Sequence, residues 1–234
     1  LNTLGVEALV RWRHPERGLI PPDRFIPIAD ESGLIVDIGE WVLRQSCRQA
    51  KGWHDQGYAD LSVSVNVSAV QFAQPRLLDT VNRALADAGL QPQALTLEIT
   101  ESVIMHDAES AVGMLRALKH MGVRISIDDF GTGYSSLSYL KRFPIDILKI
   151  DKSFVHTLGI NDEDTAIVHA IMALAKSLRL VTIAEGVETV RQVEMLQKAQ
   201  CDLFQGFHFS QPLDSDRLTE RLAGERPHLR PALH

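Results

Sequence analysis

The chain has 234 residues, of which 45% are hydrophobic and 23% charged, with a formal net charge of −6 at pH 7. A chain of this size buries a substantial core, and the negative balance argues against polymeric DNA or RNA as a partner, for which a basic face is expected. Two cysteines, Cys47 and Cys201, are too few for a disulfide framework, and no apolar run reaches the roughly 18 residues of a spanning helix. The first residues do not read as a signal peptide. The expected setting is therefore cytoplasmic, either alone or as the cytoplasmic module of a membrane-anchored protein.

Strand-like and helix-like segments alternate along the chain. A β-rich run at 5–12 (GVEALVRW) is followed by helical periodicity at 37–55. Further β-rich runs fall at 61–68 and 94–100, a helix at 108–122, and strands at 123–129 and 146–151. A helix at 162–179 precedes strands at 180–186 and 202–207. Within that helix Ile167, Ile171 and Leu174 recur at helical spacing and mark an expected buried face. Gly122 and Gly159 stand where helices can stop. No linker-like composition divides the chain, so one domain over 1–224 is expected, with 225–234 (ERPHLRPALH) as a frayed tail.

Seven strands separated by helices require a parallel sheet, which an open doubly wound fold or an eight-fold barrel can supply. The strand phases favour the barrel. Thr96, Glu98 and Thr100 alternate with Leu95, Leu97 and Ile99; Arg124, Ser126 and Asp128 alternate with Val123, Ile125 and Ile127; Ile147, Lys149 and Asp151 alternate with Leu148 and Ile150. One face is thus polar, whereas a sheet covered on both sides gives continuous apolar runs. Seven is one short of a closed (β/α)8 barrel, and a first strand missing before Leu1 accounts for the count.

Each strand candidate also carries a distinctive polar residue: Glu7, Asn66, Glu98, Asp128 with Asp129, Lys149 with Asp151, Glu185, and Gln205. In a barrel these converge at the mouth formed by the C-terminal strand ends. So many carboxylates raise one another's pKa unless positive charge lies between them. An all-oxygen set selects hard divalent cations, and the Asp128–Asp129 pair suits two of them. Taken singly, each acid has a plainer reading as a cap or surface group, Asp-Asp-Phe-Gly as a turn, and Lys149 with Asp151 as a structural ion pair. His54, His120 and His208 show no ligand spacing. GTGYSS lacks the Lys of a phosphate-binding P-loop.

Seven motifs, in order, carry a resemblance: VEALVRW with HPERGLIPPDRFIPIADESGLI, NVSAVQF, LEITES, IDDFGTGYSSLSYLKRFPIDILKID, IAEGVE and CDLFQGFHFSQPL. Together they resemble the EAL domain of bacterial cyclic-di-GMP phosphodiesterases, and they span nearly the whole chain. The resemblance implies a modified TIM barrel that hydrolyses cyclic-di-GMP to linear 5′-pGpG with two Mg²⁺ or Mn²⁺ ions, Ca²⁺ being expected to inhibit. It implies Glu7, Asn66, Glu98, Asp128, Asp129 and Glu185 as metal ligands, with Glu7 and Glu185 also counted in the catalytic set. It further implies Lys149 as the residue holding the attacking water. Arg11, Asp151, Glu188 and Gln205 are implied at the substrate. Glu101 would order the loop that includes Phe130, Gly131, Thr132 and Gly133, a segment the family also uses for homodimers. Phe207 stands where a Tyr is usual, which removes one hydroxyl near the mouth. A glutamine of the family's preceding strand is not in this sequence. The implied partners are cyclic-di-GMP, a second copy of the chain, and other domains of a larger signalling protein. The alternative is a receptor that binds cyclic-di-GMP without hydrolysing it, a class that usually loses signature acids; this chain keeps them.

Overall fold

The structure is a computed structural model describing residues 3–133 and 137–225. Its strands, in chain order, are β1 (Gly5–Ala8), β2 (Trp12–His14), β3 (Gly18–Ile20), β4 (Ser62–Asn66), β5 (Leu95–Thr100), β6 (Arg124–Phe130), β7 (Ile147–Ile150), β8 (Val181–Ala184) and β9 (Leu203–Phe204). Seven of them pair in parallel in the order β1-β4-β5-β6-β7-β8-β9. The order follows the chain without reversal. A doubly wound sheet reverses at a switch point, so this sheet is of the barrel type. β1 and β9 are its two edges and do not pair with each other. The sheet nonetheless curls far enough for Gln205, just past β9, to donate a hydrogen bond from Nε2 to Glu7 Oε2 of β1 at 2.6 Å.

The strand that the sequence suggests over 5–12 ends at Ala8. Trp12–His14 instead pairs antiparallel with Gly18–Ile20 as a separate hairpin. His14 Nδ1 accepts from the Glu16 and Arg17 amides inside the turn, and Gly18 takes a left-handed φ of 72°. A stretch holding Pro15 and Gly18 is turn chemistry, which breaks the long strand read from β-branched and aromatic content.

The outer face of the sheet is apolar and the inner face polar. Leu95, Leu97, Ile99, Ile125, Ile127, Leu148 and Ile150 are all buried against a helical shell that includes Leu43, Cys47, Val81, Leu115, Leu118 and Leu196. Both cysteines are buried free thiols. The helix Asp162–Leu178 buries Val168, Ile171, Met172 and Ala175, while Ile167 is 38% exposed. Its sequence is apolar around much of its circumference, so spacing alone fits two overlapping stripes. Packing on β7 and β8 selects the second. On the inner face Thr96, Glu98, Ser126, Asp128 and Lys149 are buried, as the strand phases require.

The last helix, Ser215–Glu225, runs through Glu225, the first residue of the expected tail. Glu225 accepts from the Thr3 amide (2.9 Å) and hydroxyl (3.0 Å), tying this helix to the lead-in of β1. Residues 226–234 lie outside the described residues.

Gly206 packs backbone to backbone. A Cβ there would lie 2.2 Å from the Val187 carbonyl oxygen, between the Val187 N–H···O=C Gln205 and His208 N–H···O=C Val187 bonds. Gly206→Ala is expected to destabilise the fold by at least about 2 kcal/mol in chemical denaturation, because both neighbours are backbone and cannot rotate away. A loss below about 0.5 kcal/mol would show that this approach is not close in solution.

Candidate active site

Each strand of the sheet delivers one polar side chain to the mouth, with a second from β6. Lys149, on β7, is the centre and has no exposed surface. Its ammonium lies 2.5 Å from Glu185 Oε1, 2.7 Å from Glu98 Oε2, 3.3 Å from Asp128 Oδ1 and 3.7 Å from Glu7 Oε2. Glu7 is held on both oxygens: Asn66 Nδ2 donates to Oε1 at 2.7 Å and Gln205 Nε2 to Oε2 at 2.6 Å. Glu7 sits at the third of four positions in β1, and the short strand brings it to the mouth.

β6 departs from regular pairing at the critical point. Ile127 pairs with Leu148, but Phe130 pairs with Ile150, so three steps on β6 face two on β7. This bulge places Asp129 in the left-handed region, at φ 53°. In a regular strand adjacent side chains point to opposite faces. Here the bulge turns both acids inward, so that Asp128, Asp129 and Glu185 each offer an oxygen within 4.8 Å of the others. The sequence assigns both acids to cations, and the structure brings them together with Glu185. The extra residue of the bulge was not legible, because its only signal was the Gly that follows Phe130.

The electrostatics follow from burial and crowding. Burial raises the Glu98 carboxyl to about 7, with Glu7 and Asp128 adding to it against the pull of Lys149. Burial likewise raises Glu185 to about 7, with Asp128 and Glu7 adding to it against the pull of Lys149. For Lys149, burial acts downward, but Glu98, Glu7, Glu185 and Asp128 reverse it, and the ammonium is held well above the usual lysine range. Asp129 is raised by burial and by Asp128 and Asp151. Asp151 ends below the ordinary range despite partial burial, because Ser153 donates to it from both hydroxyl and amide. The donor set is all oxygen and carries more negative charge than Lys149 neutralises. That is the chemistry of a hard-cation site, and Asp128, Asp129 and Glu185 are the residues that could hold an ion.

The other predicted residues divide. Glu101 is buried and accepts from the Gly131 amide at 3.0 Å, and a Cβ on Gly133 would lie 3.2 Å from its Oε1. The loop is thus laid over this carboxylate, and Thr132 turns back to donate to the Asp129 carbonyl at 2.8 Å. Phe130 is buried in the core at 3% exposure, so it anchors the loop and offers no surface to a partner. Tyr134, Ser135 and Ser136 lie outside the described residues. Asp151 reaches Asp129, while Arg11 and Glu188 are not drawn into the cluster. The Arg11 guanidinium bonds the Val10 carbonyl at 2.9 Å, and Glu188 faces His156 at 3.5 Å. His156 was not singled out in the sequence, where one more histidine on a short helix carries no signal.

Against known proteins, the EAL domain family profile matches residues 1–212. The chain belongs to the EAL domain family. The bifunctional diguanylate cyclase/cyclic di-GMP phosphodiesterase MucR of Pseudomonas aeruginosa is 51% identical over 220 residues, 94% of this chain and 32% of MucR. The cyclic di-GMP phosphodiesterase NbdA of the same organism is 45% identical over 221 residues, 94% of this chain and 28% of NbdA. This EAL domain therefore spans about a third or less of those two relatives. A solved structure of the PaMucR phosphodiesterase in complex with c-di-GMP superposes with a TM-score of 0.90 at 52% identity, covering 92% of this chain and 87% of that one.

The raised carboxyls set a pH dependence. Glu98 and Glu185 titrate near 7 when folded, against 4.5 for an ordinary glutamate, so the folded state holds more protons in between. Their contribution to stability is full below pH 4.5 and is lost as pH rises through 7. In EDTA, unfolding free energy measured from pH 5 to 8 should fall more steeply for the wild type than for Glu98→Gln/Glu185→Gln. Added Mg²⁺ or Mn²⁺ at pH 8 should recover part of the loss in the wild type. Parallel profiles for the two proteins would refute the assignment.

Proposed function

We propose that this EAL domain is a metal-dependent phosphodiesterase that hydrolyses cyclic-di-GMP to linear 5′-pGpG. The observation that carries this reading is the Lys149-centred cluster, in which acids from β1, β5, β6 and the end of β8 surround one buried ammonium. Family membership and the c-di-GMP complex of the 52%-identical relative support the choice of substrate.

Glu7, Asn66, Glu98, Asp128, Asp129 and Glu185 are the residues we assign to two Mg²⁺ or Mn²⁺ ions. Such ions, when bound, supply positive charge to a phosphodiester and lower the pKa of water. The chain's own groups then have distinct tasks. Lys149 stays protonated across the physiological range, so it cannot act as a base. Its N–H groups can orient a water for attack on phosphorus. The proton leaving that water needs a carboxylate, and Glu185, 2.5 Å from Lys149, is the one beside it. The balance is hydroxide added to phosphorus, the P–O3′ bond broken, and a proton delivered to the leaving 3′-oxygen. Asn66 and Gln205 fix both oxygens of Glu7, so its direction is set before substrate arrives. Arg11, Asp151, Glu188 and Gln205 are assigned to the substrate side. Arg11 and Glu188 would have to swing from the contacts seen here.

We infer further that the domain works as a cytoplasmic module of a longer signalling protein, and as a homodimer through the loop held by Glu101. The small fraction of MucR and NbdA that it spans supports the first inference. The exposure of Thr132 and Gly133 is compatible with the second.

Product chromatography tests the reading. The chain with Mg²⁺ or Mn²⁺ should convert cyclic-di-GMP to pGpG, Ca²⁺ alone should not support turnover, and Glu7→Ala should lower kcat by at least about a thousandfold with the fold retained by circular dichroism. Wild-type turnover by Glu7→Ala would overturn the site assignment. Tight nucleotide binding without turnover in either metal, in a chain carrying its native upstream sequence, would overturn the enzymatic one and favour a receptor.

A further inference from the structure

A second concave site lies at the opposite end of the barrel. It is a groove of about 630 Å³ between the C-terminal half of the helix Asp162–Leu178 and the turn that follows the helix Val190–Lys198, floored by the start of β8. That volume suits a small organic ligand. Val181 and Thr182, which line it, open β8, whereas Glu185 follows its last residue. At about 3.3 Å per residue the two sites are roughly 13 Å apart along the strand. A small ligand in the groove does not touch the acid cluster.

The backbone singles this groove out. Among the described residues only three non-glycine residues have a left-handed φ: Asp129 at 53°, Arg179 at 59° and Gln200 at 64°. The first is in the acid cluster. The other two both line this groove, each at the turn closing a helix, a position glycine fills without strain. A side chain held there at a steric cost points to a task for the side chain.

The lining supplies a charged end and an apolar floor. His169, Lys176 and Arg179 contribute positive or protonatable groups, and Met172, Ala173, Leu180, Val181 and Ala199 the apolar surface. Among the described residues none of the three basic groups is in an ion pair; Lys176 Nζ donates to Gln200 Oε1 at 2.7 Å, which joins the two turns. The lining also holds one acid. Asp202 Oδ2 accepts from the Thr182 amide (2.8 Å) and hydroxyl (2.7 Å), while Oδ1 takes no hydrogen bond from a described residue. In a chain of net charge −6, two fixed cations and one histidine against a single carboxylate make a locally positive groove.

From this arrangement we propose that the groove is a binding site, remote from the acid cluster, for a nucleoside monophosphate. The phosphate would lie against Arg179 and Lys176, the sugar and base on the Met172–Leu180–Val181 floor, and N–H groups of the base toward Asp202 Oδ1. A planar guanidinium grips a phosphate on two oxygens, Lys176 adds a point charge, and a lone acceptor suits a base edge that donates. The proposal does not depend on the phosphodiesterase reading, because neither the ligand nor the residues involve the mouth.

The test is isothermal titration calorimetry on the whole 234-residue chain in EDTA, with 5′-GMP, guanosine and inorganic phosphate as separate probes. GMP should bind, with inorganic phosphate and guanosine each weaker by about tenfold or more, since each lacks half of the recognised chemistry. Arg179→Gly is the decisive variant. It removes the guanidinium while relieving the left-handed backbone, so its Tm should be equal or higher while GMP affinity falls at least about tenfold. Lys176→Ala should also weaken GMP, and Glu7→Ala should leave it unchanged. No heat from GMP at millimolar concentration would overturn the proposal. So would binding that survives Arg179→Gly, or binding lost in Glu7→Ala, which would place the nucleotide at the mouth.

Discussion

The structure turns on one buried ammonium. Lys149 is enclosed by carboxylates from β1, β5, β6 and the end of β8, and each is a different strand's contribution. Two unit charges 4 Å apart in a protein of moderate polarity interact by about 4 kcal/mol, so no single contact dominates. Four anions around one cation, however, make more repulsive pairs than attractive ones. Burial raises Glu98 and Glu185 to about 7, and their acidic neighbours add to it against the pull of Lys149. The cluster is short of positive charge at neutral pH, and it can gain it from protons or from cations. A site so built is prepared for cations by the same forces that make it costly without them.

That need explains the placement of the rest. A parallel sheet in chain order brings all inner-face positions to one axis, and helices then have only the outer face to cover. Along β5 to β7 the outer residues are leucine and isoleucine, the inner ones Thr96, Glu98, Ser126, Asp128 and Lys149. The strand therefore carries both tasks, core on one side and chemistry on the other. Regular alternation would still deliver only one of two adjacent acids. The bulge in β6 adds the second by setting Asp129 at φ 53°, a strained geometry that the Glu101–Gly131 contact and the Thr132 hydroxyl brace from the loop side.

The period-2 alternation of β5 to β7 was enough to read the barrel, the inner face and the centre of the cluster, because burial on one side and polarity on the other leave a direct mark on sequence. The family resemblance supplied roles that alternation cannot, such as which acid goes with which neighbour. What escaped the reading was local. The strand read over 5–12 carried Trp12 into β1, whereas Trp12 opens a separate hairpin whose turn holds Pro15 and Gly18. The buried stripe of Asp162–Leu178 lay one residue from its expected place, since an apolar helix leaves its phase to the sheet it meets. Left-handed backbone at Arg179 and Gln200 had no sequence mark at all, as neither residue type announces it.

The seam between β9 and β1 shows how fold and site depend on each other. No backbone ladder joins these edges, and β9 has only two residues. A hydrogen bond across the gap runs from Gln205 to Glu7, and Glu7 in turn faces Lys149 and Asn66. A change in charge at Glu7 therefore reaches Gln205 as well as Lys149 and Asn66, whereas the same change at Glu98 falls within a strand paired on both sides.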